Sequence, residues 1–267
     1  MKENQTDKIR QLVRGRYAKV AEGSGCGCNS ENTFPCCGSS KDIAQTANQI
    51  MGYSQEELGS VSEGANLDLG CGNPTAIGKL APGEIVLDLG SGGGFDCFLA
   101  AKKVGGEGRV IGVDMTPEML SKARDNAVKM GTTNVEFRLG EIEHLPVADN
   151  SIDVIISNCV INLSPEKKQV FQDAYRVLKP GGRLAISDVV ATAEIPDQLR
   201  EQAALLTGCI AGAEHIDRIQ NLLDEVGFRD VKIELKNYSK ELVSSWFPGS
   251  GAEDFVASAN IQAFKPL

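Results

Sequence analysis

A carboxylate leading into a run of glycines is the first chemistry in this sequence. In residues 85–96, Ile-Val-Leu-Asp-Leu-Gly-Ser-Gly-Gly-Gly-Phe-Asp, an apolar run carries Asp88 and gives way to Gly90, Ser91, Gly92, Gly93 and Gly94. Glycine has no Cβ, so such a turn lets backbone approach a ligand closely, and a helix starting near Phe95 would aim its first amides at the same place. The dinucleotide pattern G-x-G-x-x-G would need glycine at position 95 after Gly90 and Gly92, but Phe95 stands there, which argues against a pyrophosphate. Arg109 to Asp114 is a second apolar run closing in an acid, and Asp114 is placed to accept both hydroxyl hydrogens of a ribose.

The elements that must position these groups follow from the same pattern. Val86, Leu87 and Leu89 suit a strand buried on both faces, and Thr116 as N-cap with Pro117 as first helical residue starts a helix just after Asp114. The order Asp88, glycines, Asp114 resembles the class I S-adenosylmethionine-dependent methyltransferases, whose cofactor carries no pyrophosphate. That resemblance implies cofactor contacts from Asp88, Gly90, Ser91, Gly92, Gly94, Asp114 and Met115, from Glu141 and Ile142 at the adenine, from Asn158, and from Tyr17 in an overlying N-terminal segment. Asn134–Leu139 reads as a third strand and Ile152–Ser157 as a fourth. Glu166–Leu178 has helical spacing stopped by Lys179-Pro180-Gly181-Gly182, and Arg183–Asp188 supplies a fifth strand. Five strands separated by helices give an α/β fold with a doubly wound, mostly parallel sheet. Val231–Leu235 and Phe255–Phe264 are expected to complete seven strands, the latter antiparallel.

Composition narrows the partners. Lys+Arg of 27 against Asp+Glu of 36 gives a net charge of -9, which disfavours nucleic acid and anionic membranes and favours small substrates. Met1 to Ala21 is charged, without the apolar core of a signal peptide, and no apolar run nears the ~20 residues that span a bilayer. The expectation is a cytoplasmic protein. Its eight cysteines should then be mostly reduced and ask for a metal, redox or thiol-chemical explanation. Lys2–Val20 reads as an amphipathic helix, residues 21–40 as a Gly-, Ser- and Cys-rich loop, and Asp42–Leu58 as a helix with Ile43, Ala47, Ile50 and Met51 on one face. Asn-Leu-Asp-Leu-Gly-Cys-Gly-Asn at 66–73 imitates a cofactor turn, but Pro74 follows at once, so it reads as a loop presenting Cys71. Pro196–Leu206 and Ile216–Val226 read as helices, with a small-residue turn around Cys209 between them.

Cys71, Cys159 and Cys209 each sit where a class I fold faces its cofactor, since ligands of open α/β sheets bind at the carboxyl ends of the strands. Three soft sulfurs suit trivalent arsenic, zinc or copper(I); zinc prefers four ligands and usually paired C-x-x-C spacings. With Leu69-Gly70-Cys71-Gly72-Asn73-Pro74, Val86–Phe95, Gly112–Pro117, Ser157–Leu163 and the turn holding Cys209, the chain resembles the arsenite methyltransferases over nearly its whole length. The resemblance implies that Cys71, Cys159 and Cys209 bind trivalent arsenic and are the catalytic thiols. Cys26, Cys28, Cys36 and Cys37 compete for the role of an upstream redox cysteine, and the longer C-terminal extension of animal members is expected to be missing. The expected organisation is a cap and cysteine-rich segment at 1–65, the S-adenosylmethionine-binding Rossmann-like core at 66–190, and an arsenic-binding segment with the last strands at 191–267.

The implied activity is transfer of a methyl group to trivalent arsenic, giving methylated arsenicals in arsenic detoxification. Arsenic's lone pair carries no proton, so no general base is needed, and neither His144, a surface loop residue, nor His215, a helix cap, stands in a catalytic pair. Arsenite, free or as its thiol conjugates, is the expected partner, with thioredoxin or glutathione as reductant. Cys97 reads as a buried apolar residue, and Trp246 as a core or interface anchor. A methyltransferase for a small organic acceptor and a non-catalytic thiol-based metalloid or metal sensor on the same fold stay open as alternatives.

Overall fold

The computed structural model describes residues 2–23, 48–62, 64–206, 209–246 and 249–267, without the side chains of 2–5, 202–206 and 246. Cys26, Cys28, Cys36 and Cys37 therefore lie outside the described residues, as does the side chain of Trp246. The described elements begin with helix α1 (Lys2–Ala21) and the short helices α2 (Gln55–Gly59) and α3 (Pro74–Ile77). Then come β1 (Ile85–Leu89), α4 (Phe95–Val104), β2 (Arg109–Asp114), α5 (Pro117–Met130), β3 (Val135–Leu139), β4 (Ile152–Asn158), α6 (Lys167–Val177) and β5 (Leu178–Ala191). The chain finishes with α7 (Asp197–Leu206), α8 (Ile216–Val226), β6 (Arg229–Leu235), α9 (Ser239–Trp246) and β7 (Val256–Phe264).

Seven strands form one sheet in the order β3-β2-β1-β4-β5-β7-β6, the α/β class I methyltransferase arrangement. β1 to β5 pair in parallel, whereas β7 enters antiparallel between β5 and β6, with Ser187 opposite Asn260 and Glu234 opposite the same residue. Alternate strand residues serve two cores. Val86, Val110, Val154 and Ile156 meet Phe98, Leu99, Leu120 and Ala123 of α4 and α5. Leu87, Leu89, Ile155 and Leu184 meet Phe171, Ala174, Leu222 and Phe228 on the α6 and α8 side. Burial on both faces is why these strands read as continuous apolar runs rather than alternating ones. The strand order reverses between β1 and β4, and that crevice is where an open sheet of this kind binds its ligand.

Two expectations change, and a third holds through a different hydrogen bond. The helix expected over 42–58 breaks within its described part: Gly52 takes φ 95, Tyr53 turns inward to 4% exposure, and α2 starts afresh behind Ser54, which forms a capping box with Glu57. Lys179-Pro180-Gly181-Gly182 does not precede the fifth strand but belongs to it, since β5 runs from Leu178 with a register irregularity between Ile152 and Val154 of its partner. That irregularity accommodates a proline and two glycines that a regular ladder would resist. Thr116 does stand at the N-cap of α5, but its hydroxyl makes no capping bond; Asp114 Oδ1 accepts the Thr116 amide at 2.8 Å instead.

Candidate active site

The glycine turn forms as its composition demands. Gly90, Gly92 and Gly94 all take positive φ, and an added Cβ at Gly92 would meet nothing within 4 Å, so its open side faces the cavity above β1 and β4. Gly90 instead abuts Val160, and Gly94, the N-cap of α4, packs on Phe98 and Phe137. Asp114 closes the far side, its Oδ2 accepting the Gly92 amide at 2.9 Å, and burial raises its pKa. Met115 and Ile142 add apolar wall, and the Ser91 hydroxyl is buried with no hydrogen-bond partner. A half-buried Tyr17 and Val13 of α1 lie across the cavity. Arg10 ties that helix down, bonding Glu166 at 2.6 Å and the buried Glu143 at 3.1 Å, with Glu141 3.5 Å away. Glu141 turns its carboxylate to Arg10 and Arg14.

Beneath the other end of the cavity lie Asp88 and Asp96, both buried. Burial pushes Asp88 above the usual carboxylate range, with the nearby Asp96 charge adding to the shift, and its Oδ2 accepts the Cys97 thiol at 3.2 Å. Burial likewise lifts Asp96 to about 6 against the pull of hydrogen bonds from Tyr53 at 2.7 Å and Asn158 at 3.1 Å. Tyr53 and Asp96 were not singled out in the sequence. Tyr53 lies outside any motif, and Asp96, in the first turn of α4, gains its role only from Tyr53 and Asn158, which no local spacing records.

The cysteine loops converge at this end. Cys71 and Cys159 are joined as a disulfide with Cα atoms 6.0 Å apart, and the Cys209 thiol donates to the Cys159 carbonyl at 3.2 Å. Cys159 lies on the cavity wall, and its backbone takes φ 54, a left-handed conformation rare for a side-chain-bearing residue and concentrated at functional sites. Cys71 is clamped on both sides of its peptide. Asn158 Oδ1 accepts its amide at 3.0 Å, while its carbonyl accepts Ser258 Oγ at 2.8 Å and Lys236 Nζ at 3.2 Å. Burial lowers the Lys236 pKa to about 8. Burial pushes the Cys209 thiol up, the Asp188 charge adding to it.

A fourth group was missed in the sequence. A carboxylate oxygen of Asp188 and the sulfurs of Cys71 and Cys159 all lie within 4.8 Å of one another. Asp188 falls on β5 at the sheet's ligand-binding end, a position that alone could have flagged it. Burial raises it to about 6, against the pull of amide hydrogen bonds from Val189, Ile161 and Asn162 and of the Lys167 charge. The histidines behave as expected: His144 is exposed, and His215 Nδ1 accepts the Asp217 amide at 3.3 Å as N-cap of α8. Among the described residues no helix is long and apolar enough to cross a membrane.

Known proteins share this arrangement. A methyltransferase domain model matches residues 80–227. The arsenite methyltransferase of Halobacterium salinarum is 52% identical over 265 residues, covering 97% of this chain and 67% of that protein. That of Aquipseudomonas alcaligenes is 46% identical over 84% of this chain and 63% of its own length. Among solved structures, an arsenic (III) S-adenosylmethionine methyltransferase from Chlamydomonas reinhardtii superposes with TM-score 0.62 at 36% identity, over 84% of this chain and 73% of that one. The chain thus spans about two thirds of the length of these two relatives.

Proposed function

This chain belongs to the arsenite methyltransferases, S-adenosylmethionine-dependent enzymes of the class I fold, and on that premise we propose that it methylates trivalent arsenic held by Cys71, Cys159 and Cys209. The observation that carries the reading is the meeting of these three residues, drawn from loops 88 and 50 positions apart, with Cys159 on the wall of the cavity that the glycine turn opens onto.

The cavity suits the methyl donor on the chain's own evidence. Gly92 leaves room where a side chain would intrude, the Ser91 hydroxyl has no partner within the protein, and Asp114 offers a carboxylate to a ribose diol. Met115 and Ile142 would flank the adenine, Tyr17 would lie over the donor, and Asp88 would meet the amino end through water. The donor supplies a methyl group activated on a positively charged sulfonium. The protein's task is to hold arsenic in line with that methyl and keep water away, which sets proximity and orientation to work on an otherwise bimolecular step.

Trivalent arsenic fits these thiols better than zinc does. Each arsenite hydroxide leaves as water with one thiol proton, so a neutral thiol binds without net deprotonation, whereas zinc needs thiolates. The raised pKa of the half-buried Cys209 therefore opposes zinc and leaves arsenite unaffected. Cys71 and Cys159 bind substrate only when reduced, which gives thioredoxin or glutathione a place in the cycle as the reductant that opens their disulfide. Such a cycle belongs in the cytoplasm, where both are found.

The test is incubation of reduced protein with arsenite and labelled S-adenosylmethionine. Labelled methylarsenicals are expected, and Cys159→Ser or Cys209→Ser should abolish them while leaving donor affinity within about threefold, since the cysteines stand apart from the glycine turn. Undiminished methyl transfer in both serine variants would instead indicate an organic acceptor.

A further inference from the structure

Asp188 is 2% exposed and held on three sides. Its Oδ1 accepts the Val189 amide at 2.8 Å and the Asn162 side-chain amide at 3.0 Å, and its Oδ2 accepts the Ile161 amide at 3.0 Å. Held this way, the carboxylate cannot swing off, and the hydrogen bonds favour its charged form against burial. Two half-buried ammonium groups interact with it at longer range: Lys167, bonded to the Ser164 carbonyl, and Lys236, bonded to the Cys71 carbonyl. Among the described residues, it is the one carboxylate grouped with the sulfurs of Cys71 and Cys159.

We infer that Asp188 is the fixed counter-charge for arsenic in the transition state, stabilising the positive charge that methyl transfer brings onto the metalloid. The inference rests on the arsenite reading above. Trivalent arsenic bound by three thiolates is neutral, and the donor sulfonium carries one positive charge. Arsenic's lone pair forms the arsenic–carbon bond while the carbon–sulfur bond breaks and leaves its pair on sulfur. Sulfur ends as a neutral thioether, arsenic passes from trivalent to pentavalent, and the charge now sits on the arsenic centre. No proton moves. Positive charge thus travels from the cofactor cavity toward the sulfurs and the carboxylate beside them. An anion already in place there needs no reorganisation, and in a dry site its effect far exceeds what it would be in water. An Asp188 that merely tied residues 161 and 162 to β5 would affect folding and binding but would be blind to the charge of what binds.

Asp188→Asn keeps the shape and removes the charge. The variant should bind arsenite within about threefold of wild type, yet transfer methyl in a single turnover roughly 10- to 100-fold more slowly. It should also lose affinity for an amine analogue that carries positive charge at the methyl position, while its affinity for neutral S-adenosylhomocysteine holds. A wild-type rate in this variant, or equal losses for the two ligands, overturns the inference. If Asp188→Asn does not fold, reduced wild-type protein decides by titration: tighter binding of the cationic analogue than of the neutral thioether supports the counter-charge, and equal or weaker binding overturns it. Failure of wild type to methylate arsenite removes the function and the inference together, whereas active wild type with no charge preference removes the inference alone.

Discussion

Asn158 gives both of its polar atoms to the loop that carries Cys71, taking the Cys71 amide on Oδ1 and giving Nδ2 to the Gly72 carbonyl at 2.7 Å. The resemblance implied a cofactor contact from Asn158, which does line the cavity; its bonds also make it the joint between the Cys71 loop and Cys159. Asn158→Ala should therefore cost about 1–3 kcal/mol in denaturant unfolding, from the polar groups left unmatched. Methyl transfer should fall roughly tenfold or more while donor affinity changes little, because the loss is one of thiol placement. A variant with wild-type turnover would show that Cys71 needs no such support. Asp96 yields a pH signature. Its folded pKa of about 6 lies above the ordinary value of 3.8, so the native state holds a proton that the unfolded chain releases first, and the stabilisation present below about pH 4 is lost as pH rises through about 6. Asp96→Asn has no such loss. Its stability relative to wild type should rise between pH 4 and 6 and level off above, as read from urea unfolding at several pH values; a flat difference would contradict the shift.

Among the elements, α1 is held by charge more than by apolar burial. Leu12 is exposed at 74%, whereas Arg10 bonds Glu143 and Glu166 across the mouth of the cavity. Arg10→Ala should raise the KM for S-adenosylmethionine several-fold. Raising salt from about 0.05 to about 0.5 M should raise it in wild type but hardly in the variant, since screening acts on the same ion pairs. The strands were the most legible elements in the sequence, because a sheet covered on both faces writes long apolar runs, and β2 (Arg109–Asp114) and α8 (Ile216–Val226) match their expected bounds. The break at Gly52 was not legible, since a single glycine inside a helical pattern is usually tolerated and only the inward turn of Tyr53, which reaches Asp96 and the Gly72 carbonyl, decides it. Lys236, Ser258 and Asp188 were hidden for a related reason. They converge on the cysteines only through the order in which β5, β7 and β6 lie side by side, which no local spacing records.

Across the whole molecule, the Cys71–Cys159 disulfide closes a loop of 88 positions, and joining so long a loop restricts the unfolded chain by about 4–5 kcal/mol. The proposed arsenic binding requires the opposite state. Reduction should therefore lower the melting midpoint, and arsenite added to the reduced protein should raise it again in proportion to the logarithm of its concentration. Oxidised protein should show no response to arsenite in the same scans. A response there would mean that arsenic binds elsewhere.

The placement of β7 carries a consequence for how the molecule is assembled. The last strand in the chain wedges between two that precede it, β5 and β6, and brings Ser258 to the Cys71 carbonyl. A nascent polypeptide that has emerged as far as β6 already carries Cys71, Cys159 and Cys209, but it lacks the strand whose Ser258 locks the first of them in place. Firm placement of Cys71 is thereby deferred until β7 has emerged and taken its place between β5 and β6.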